Sequence, residues 1–149
     1  MKALLVLAPG IAALLLFASA TIRASEGNAQ SSQVVTSHLH ARTTTFVEIH
    51  NGMKGRVGDL LTFTHSLTDR EKHVGRDQGY CVRILKRSTE CAMTAFLRAG
   101  QIEVTGPFDG SSRLAITGGT GAYARARGWV RARRAGFFQL DLTYNLILG

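Results

Sequence analysis

The sequence predicts an all-β chain folded as an eight-stranded antiparallel β-barrel. Three observations lead there. Phe138, Leu140, Leu142, Tyr144, Leu146 and Leu148 alternate with Gln139, Asp141, Thr143 and Asn145, the period of a strand with one buried and one polar face. Gly100, Asp109-Gly110, Gly118-Gly119 and Gly136 punctuate a series of short period-two runs as turn formers. Beyond the N-terminal apolar segment no stripe at helical spacing occurs. Strands joined by short turns remove their exposed edges by closing on themselves, and a barrel of this size is either filled by side chains or holds one small ligand.

The elements follow in order. Residues 1–20 read as a signal peptide: Lys2 supplies a positive charge, Ala3 to Phe17 is apolar apart from Pro9-Gly10, and Ala18-Ser19-Ala20 has the small-x-small form of a cleavage site. The apolar run is shorter than the roughly 20 residues a membrane-spanning helix needs, so a cut after Ala20 and a secreted or periplasmic protein are expected, with no integral membrane segment left. Residues 21–37, rich in Ser, Gln and Ala, read as a flexible leader, and 38–149 as the barrel domain. The expected strands are Phe46 to Ile49, Leu60 to Ser66, Gly79 to Leu85, Glu90 to Leu97, Gln101 to Thr105, Arg113 to Thr117, Arg127 to Arg133 and Phe138 to Leu148. Gly118-Gly119-Thr120-Gly121 invites a phosphate-loop reading but lacks the Lys-Ser/Thr ending and a following helix, so a tight turn is expected.

The chain carries a net charge of +8, much of it in Arg125, Arg127, Arg131, Arg133 and Arg134. Only Trp129 is interleaved among them, which argues for a solvated basic face and against a nucleic-acid partner. Two cysteines in an exported chain suggest one disulfide. Cys81 and Cys91 flank a hairpin tip at Lys86-Arg87-Ser88-Thr89, and positions equidistant from such a turn face each other across the ladder. No two-cysteine, two-histidine spacing points to a metal, and no fingerprint points to a cofactor.

Strand parity groups the chemistry. Leu61, Phe63 and His65 share one side of their strand, Cys81, Arg83 and Leu85 share one side of theirs, and Glu48 shares a face with His50. Parity alone does not say which side is inside. Asp59 and Asp77 sit near strand starts, where turn chemistry accounts for them. Arg83, if its face is the lumen, would pair with Glu48 or hold a substrate carboxylate.

Four runs carry a resemblance: Phe46-Val47-Glu48-Ile49-His50, Gly58-Asp59-Leu60-Leu61-Thr62-Phe63-Thr64-His65, Gly79-Tyr80-Cys81-Val82, and Leu114 to Tyr123. In order and spacing the chain resembles the allene oxide cyclases and, more loosely, the dirigent proteins. The resemblance implies a calycin-like barrel around a hydrophobic small molecule, an isomerase that directs stereoselective cyclisation, and a homotrimer. It implies that Glu48 assists epoxide opening from the barrel floor, that Phe63 is a lumen aromatic and that Cys81 is a lumen cysteine. His50 and His65 stand where the family has asparagines, the latter helping to hold an ordered water. Glu48, His50 and His65 are therefore the catalytic candidates, and Leu61, Phe63, Arg83 and Cys81 the substrate-binding ones. Arg127 in Ala126-Arg127-Gly128 fits a dirigent motif, whereas Ala122 stands where the dirigent catalytic aspartate is expected. A non-catalytic carrier, a structural barrel and a dirigent-like guide of phenoxy-radical coupling are the alternatives.

Overall fold

The alternation seen in the sequence becomes eight strands in a computed structural model, which describes residues 32–149. They are β1 (Gln33–Ile49), β2 (Leu60–Asp69), β3 (Lys72–Leu85), β4 (Ser88–Leu97), β5 (Gly100–Phe108), β6 (Ser111–Gly119), β7 (Arg127–Gly136) and β8 (Gln139–Leu148). A short 3-10 turn, Gly121–Tyr123, lies between β6 and β7. Each strand pairs antiparallel with the next, and β8 returns to β1, so the sheet closes into a barrel. The chain is thus the all-β barrel that its periodicity predicts. Among the described residues no helix is long and apolar enough to cross a membrane.

The structure begins the barrel earlier than the composition suggests. Gln33 to Ser37, read as leader, is strand because it pairs with Leu148 to Tyr144 on β8. Cross-strand partners outweigh local polarity in deciding whether a segment is extended. The signal-peptide reading of residues 1–20 and most of the leader lie outside the described residues.

Two further expectations fail at strand ends. Leu85 leaves the face of Cys81 and Arg83 and is exposed, because the β3–β4 register shifts between Arg83 and Leu85. A β-bulge of this kind inserts one residue and breaks strict alternation. Phe138 lies outside β8 with φ +63, and its ring is exposed at the barrel rim.

The interior has two levels. One half is packed solid: Leu67, Ile102, Val104, Val130 and Tyr144 are almost fully buried there. That end is closed backbone against backbone. The Thr120 N–H donates to the Gln101 carbonyl (3.0 Å), the Ala122 N–H to the Ala99 carbonyl (2.9 Å), and the Gln101 N–H to the Thr120 hydroxyl (3.1 Å). Gly118 and Gly119 thus finish β6, and the turn that starts at Thr120-Gly121 seals the barrel end. The opposite end, where β1, β3, β5 and β7 finish, is hollow.

Arg127, Arg131 and Arg133 point outward between buried Val130 and Ala132. Arg113 lies over the Trp129 ring at 4.7 Å, and Arg133 pairs with Asp141 at 3.2 Å.

Cys81 and Cys91 are directly opposite on β3 and β4 and form a disulfide. It closes a short loop, which limits the unfolded chain and stabilises the fold by about 2–3 kcal/mol. The Cys81→Ser/Cys91→Ser protein is expected to lose about that much in equilibrium urea unfolding, with its circular dichroism spectrum unchanged at low urea. An unaltered midpoint would show that the barrel register needs no covalent pin.

Candidate functional site

Each strand contributes side chains to the hollow end according to its pleat. Leu61, Phe63 and His65 line the cavity from β2, Cys81 and Arg83 from β3, and Cys91 and Met93 from β4. Gly79 makes this possible, since a Cβ there would stand 2.8 Å from the Phe63 ring. The cavity measures about 330 Å³, within the range of small-molecule sites. Its rim is aromatic: Phe46 and Phe138 rings lie 6.2 Å apart, and Phe137 meets Phe138 edge-on at 4.8 Å. Three cations, Arg83, Arg87 and Arg134, join the same wall.

Arg83 is the most constrained of these. The Asp59 carbonyl and the Gly58 N–H bracket its backbone with two bonds of 2.9 Å. Its Nη1 donates to the Lys86 carbonyl at 3.2 Å. Its Nε is buried and has no hydrogen-bond partner among the described residues. A buried donor left unpaired costs about 1–3 kcal/mol, so it marks a place where an acceptor is favourable.

At the cavity floor a polar group interrupts the apolar packing. His65 Nδ1 and Asp77 Oδ1 are 2.6 Å apart, and both residues are buried. They are a direct cross-strand pair on β2 and β3. Asp77 is thus a lumen residue in mid-strand, contrary to its reading as a turn residue. Its Oδ2 and the Tyr144 hydroxyl are buried without a hydrogen-bond partner among the described residues. Burial, with the Asp77 charge adding to it, pushes the Tyr144 phenol far above its ordinary range, so it stays a neutral O–H. His65 touches the cavity; Asp77 and Tyr144 sit behind it.

The remaining candidates gather elsewhere. Glu48 and His50 lie at the end of β1 beside the 50–59 loop and are not among the cavity-lining residues. Lys54 Nζ is 3.0 Å from the Glu48 carboxylate, and His50 lies 3.8 Å from Glu48 and 3.4 Å from Asp59. Asp59 organises the loop: it accepts N–H bonds from Asn51 (3.0 Å), Gly55 (2.7 Å) and Arg56 (3.0 Å). Ligand atoms of Glu48, His50 and Asp59 come within 4.8 Å of one another, but Lys54 and the loop amides already serve these carboxylates. The trio is a clasp for the loop that brackets Arg83.

Burial acts to raise the Asp59 carboxyl, but the donated bonds outweigh it, and the net result lies below the usual carboxylate range. A group whose folded pKa is depressed contributes stability above its unfolded value, and that contribution disappears as pH falls through the folded value. Asp59→Asn is therefore expected to lower the urea midpoint at pH 7. The gap to the parent protein should narrow as pH falls below the ordinary aspartate value of about 3.9 and toward the depressed folded one. A gap independent of pH would assign the clasp to shape rather than charge.

Comparison with known proteins agrees with this geometry. Residues 35–147 match the model of the allene oxide cyclase barrel-like domain. The chain belongs to that family. Among solved structures, this allene oxide cyclase-like barrel is similar to a pyocyanin demethylase, with 28% identity and a TM-score of 0.70 over 75% of this chain and 99% of that one. It is also similar to a pterocarpan synthase dirigent protein, at 18% identity and a TM-score of 0.68, covering 80% of this chain and 90% of that one. An exo-specific intermolecular Diels–Alderase follows at 18% identity and a TM-score of 0.67, covering 78% and 98%. The last two likenesses concern the fold alone. No curated protein matches the sequence of this barrel.

Sequence reasoning placed the Cys81–Cys91 bridge from the hairpin tip that its cysteines flank, and parity together with the family resemblance named Leu61, Phe63, His65, Cys81 and Arg83, which all line one cavity. It did not find Asp77, Tyr144, Arg87, Arg134 or the aromatic rim. No local signal marks Asp77, because its place follows from a bulge at Val74, which the β2–β3 register skips between the Leu67–Gly75 and Thr68–His73 pairs.

Proposed function

We propose that this barrel takes a small, largely apolar molecule carrying an acidic group into its lumen and acts on it as an isomerase-type catalyst. The observation that carries the reading is the gathering of Arg83, Arg87 and Arg134 on the wall of a largely apolar cavity, with Arg83 held in place by its backbone bonds and by the Lys86 carbonyl. Leu61, Phe63, Met93 and Leu142 offer the body of such a molecule an apolar wall. Arg83, with Arg87 and Arg134 at the same end, offers its acidic group charge-assisted hydrogen bonds. The similar solved barrel at 28% identity bears the name of a demethylase of pyocyanin, which supports chemistry on a small molecule.

The finer form, taken from the family resemblance, is stereoselective cyclisation of an oxylipin-like acid. A barrel performs it by holding one folded conformer away from water, with little covalent work. Export is part of the proposal, supported by the disulfide, which belongs in an oxidising compartment. Trimeric assembly is part of the proposal, and light scattering on the purified protein tests it.

A matched pair of dyes tests the acid site. Anilinonaphthalene sulfonate and N-phenyl-1-naphthylamine share a skeleton and differ by the anionic group. Arg83→Leu is expected to weaken the sulfonate about tenfold or more, as loss of a charge-assisted bond does, and to leave the neutral dye unchanged. Equal effects on both dyes would remove the acid site. For the cyclase, an enantiomeric excess in the cyclopentenone formed from an allene oxide generated in situ is expected. A racemic product with both dyes bound would leave a carrier.

A further inference from the structure

The floor of the cavity presents chemistry that the family resemblance does not explain. His65 and Asp77 are charged or chargeable groups that, with the Tyr144 hydroxyl, interrupt a buried interior that also holds Leu67, Ile102, Val104 and Val130. Packing alone would be better served by apolar residues there. The arrangement has a direction. With Asp77 ionised, the Nδ1–H of His65 donates to Oδ1 at 2.6 Å, and the ring nitrogen left with a lone pair is Nε2. The His65 side chain lines the cavity, whereas Asp77 lies behind it. Phe63 packs against the imidazole with centroids 4.8 Å apart, which restricts its rotation. A base, the group that orients it and an adjoining cavity are the parts of a general-base site.

The geometry points to His65 as a general base that moves a proton within a bound substrate, with Asp77 as its positioning residue. This rests on the reading that the lumen takes a small apolar molecule, and not on the cyclase reaction. The substrate class is a carbon acid, a molecule with a C–H next to a carbonyl or imine, whose acidic end lies at Arg83 and whose reacting end lies at the floor. Nε2 takes the proton from carbon. The C–H electron pair moves into the adjacent bond and leaves a negative oxygen or nitrogen, while the imidazolium is neutralised by Asp77. The imidazolium then delivers a proton from Nε2 to a different atom of the substrate, and while it is held on nitrogen that proton exchanges with solvent. Nothing is oxidised or reduced, and no co-reactant is consumed.

Deuterium exchange tests this with 2-tetralone, a neutral bicyclic ketone with an acidic benzylic C–H, as the probe. Displacement of N-phenyl-1-naphthylamine first shows that the probe enters the lumen. Proton NMR in deuterium oxide then follows loss of the benzylic signal. The parent protein is expected to accelerate exchange by about 10²-fold or more over His65→Gln, the usual contribution of a positioned base. Asp77→Asn is expected to slow exchange and also to change the imidazole ¹⁵N signature. The parent shows the Nδ1–H form and the variant loses it. Slowed exchange with dye binding and fold retained traces the effect to the imidazole, whereas unchanged exchange beside a lost Nδ1–H form would leave Asp77 a structural partner only. If His65→Gln fails to fold, the double variant His65→Leu/Asp77→Leu replaces it as the reference. Displacement of the dye with equal exchange in parent and variant overturns the base while the lumen stands. An Nε2–H tautomer in the parent overturns it independently of any variant. No displacement overturns the lumen reading, and the base falls with it.

Discussion

Gly119→Ala is expected to destabilise the barrel by about 3 kcal/mol or more, while Gly118→Ala next to it leaves stability within about 0.5 kcal/mol of the parent. The two glycines stand side by side at the end of β6 and differ only in what lies above them. A methyl at Gly119 would run into the carbonyl oxygen of Gln101 and stand 2.7 Å from that of Tyr123. Both obstacles are backbone, held by the bonds that close this end of the barrel, including Thr120 N–H to Gln101 O and Tyr123 N–H to Thr120 O, each 3.0 Å. Neither can yield without opening the seal. A methyl at Gly118 meets nothing nearer than a Glu103 carboxylate oxygen at 3.8 Å, the far end of a flexible side chain. Urea unfolding of the two variants measures the contrast. Equal stability would mean that the barrel end adapts and is no rigid seal.

The second large effect concerns the floor. Asp77→Ala is expected to cost about 3 kcal/mol or more, because it leaves the buried His65 without the carboxylate that its N–H serves. His65→Leu/Asp77→Leu is expected to recover most of that loss, since replacing both members of a buried pair by apolar residues is often neutral or stabilising. Tyr144→Phe points the same way. Its hydroxyl is buried without a partner among the described residues, so removing it should raise stability by about 1 kcal/mol. Together these variants separate stability from activity. A floor that becomes more stable as it loses its polar groups holds them for chemistry, whereas a double variant no better than Asp77→Ala would make the pair a structural element. Equilibrium unfolding of the single and double variants, read with the deuterium exchange assay, decides between them.

The likeness of the floor pair to a base with its orienter also explains why it escaped notice in the sequence. Counting back from the β2–β3 turn, where Asp69 faces Lys72, simple antiparallel pairing would set His65 against Arg76. The register shift between Leu67 and Thr68 adds one residue and sets it against Asp77 instead. The bulge between Arg83 and Leu85 does the same on the next hairpin, aligning Cys81 with Cys91 and expelling Leu85. One residue reverses the face of everything beyond it, which is why small irregularities decide sites.

What the sequence determined by itself was periodic or local. Alternation along β8 made a strand with an inner face, glycine and Asp-Gly pairs placed the turns, and the motif order around Glu48, Phe63 and Cys81 pointed to an allene oxide cyclase-like barrel. These follow from backbone geometry within a few residues, or from motif order along the chain. The tertiary structure decided the rest. It drew Gln33 to Ser37 into β1 through partners more than a hundred residues away on β8. It filled one half of the barrel and left the other hollow, because only closure shows which inward side chains meet across the lumen and how large they are. It also turned Glu48 toward Lys54 and set Asp77 behind His65. Those pairings depend on bulges and on the rim loop, whose effects appear only when all eight strands are in register.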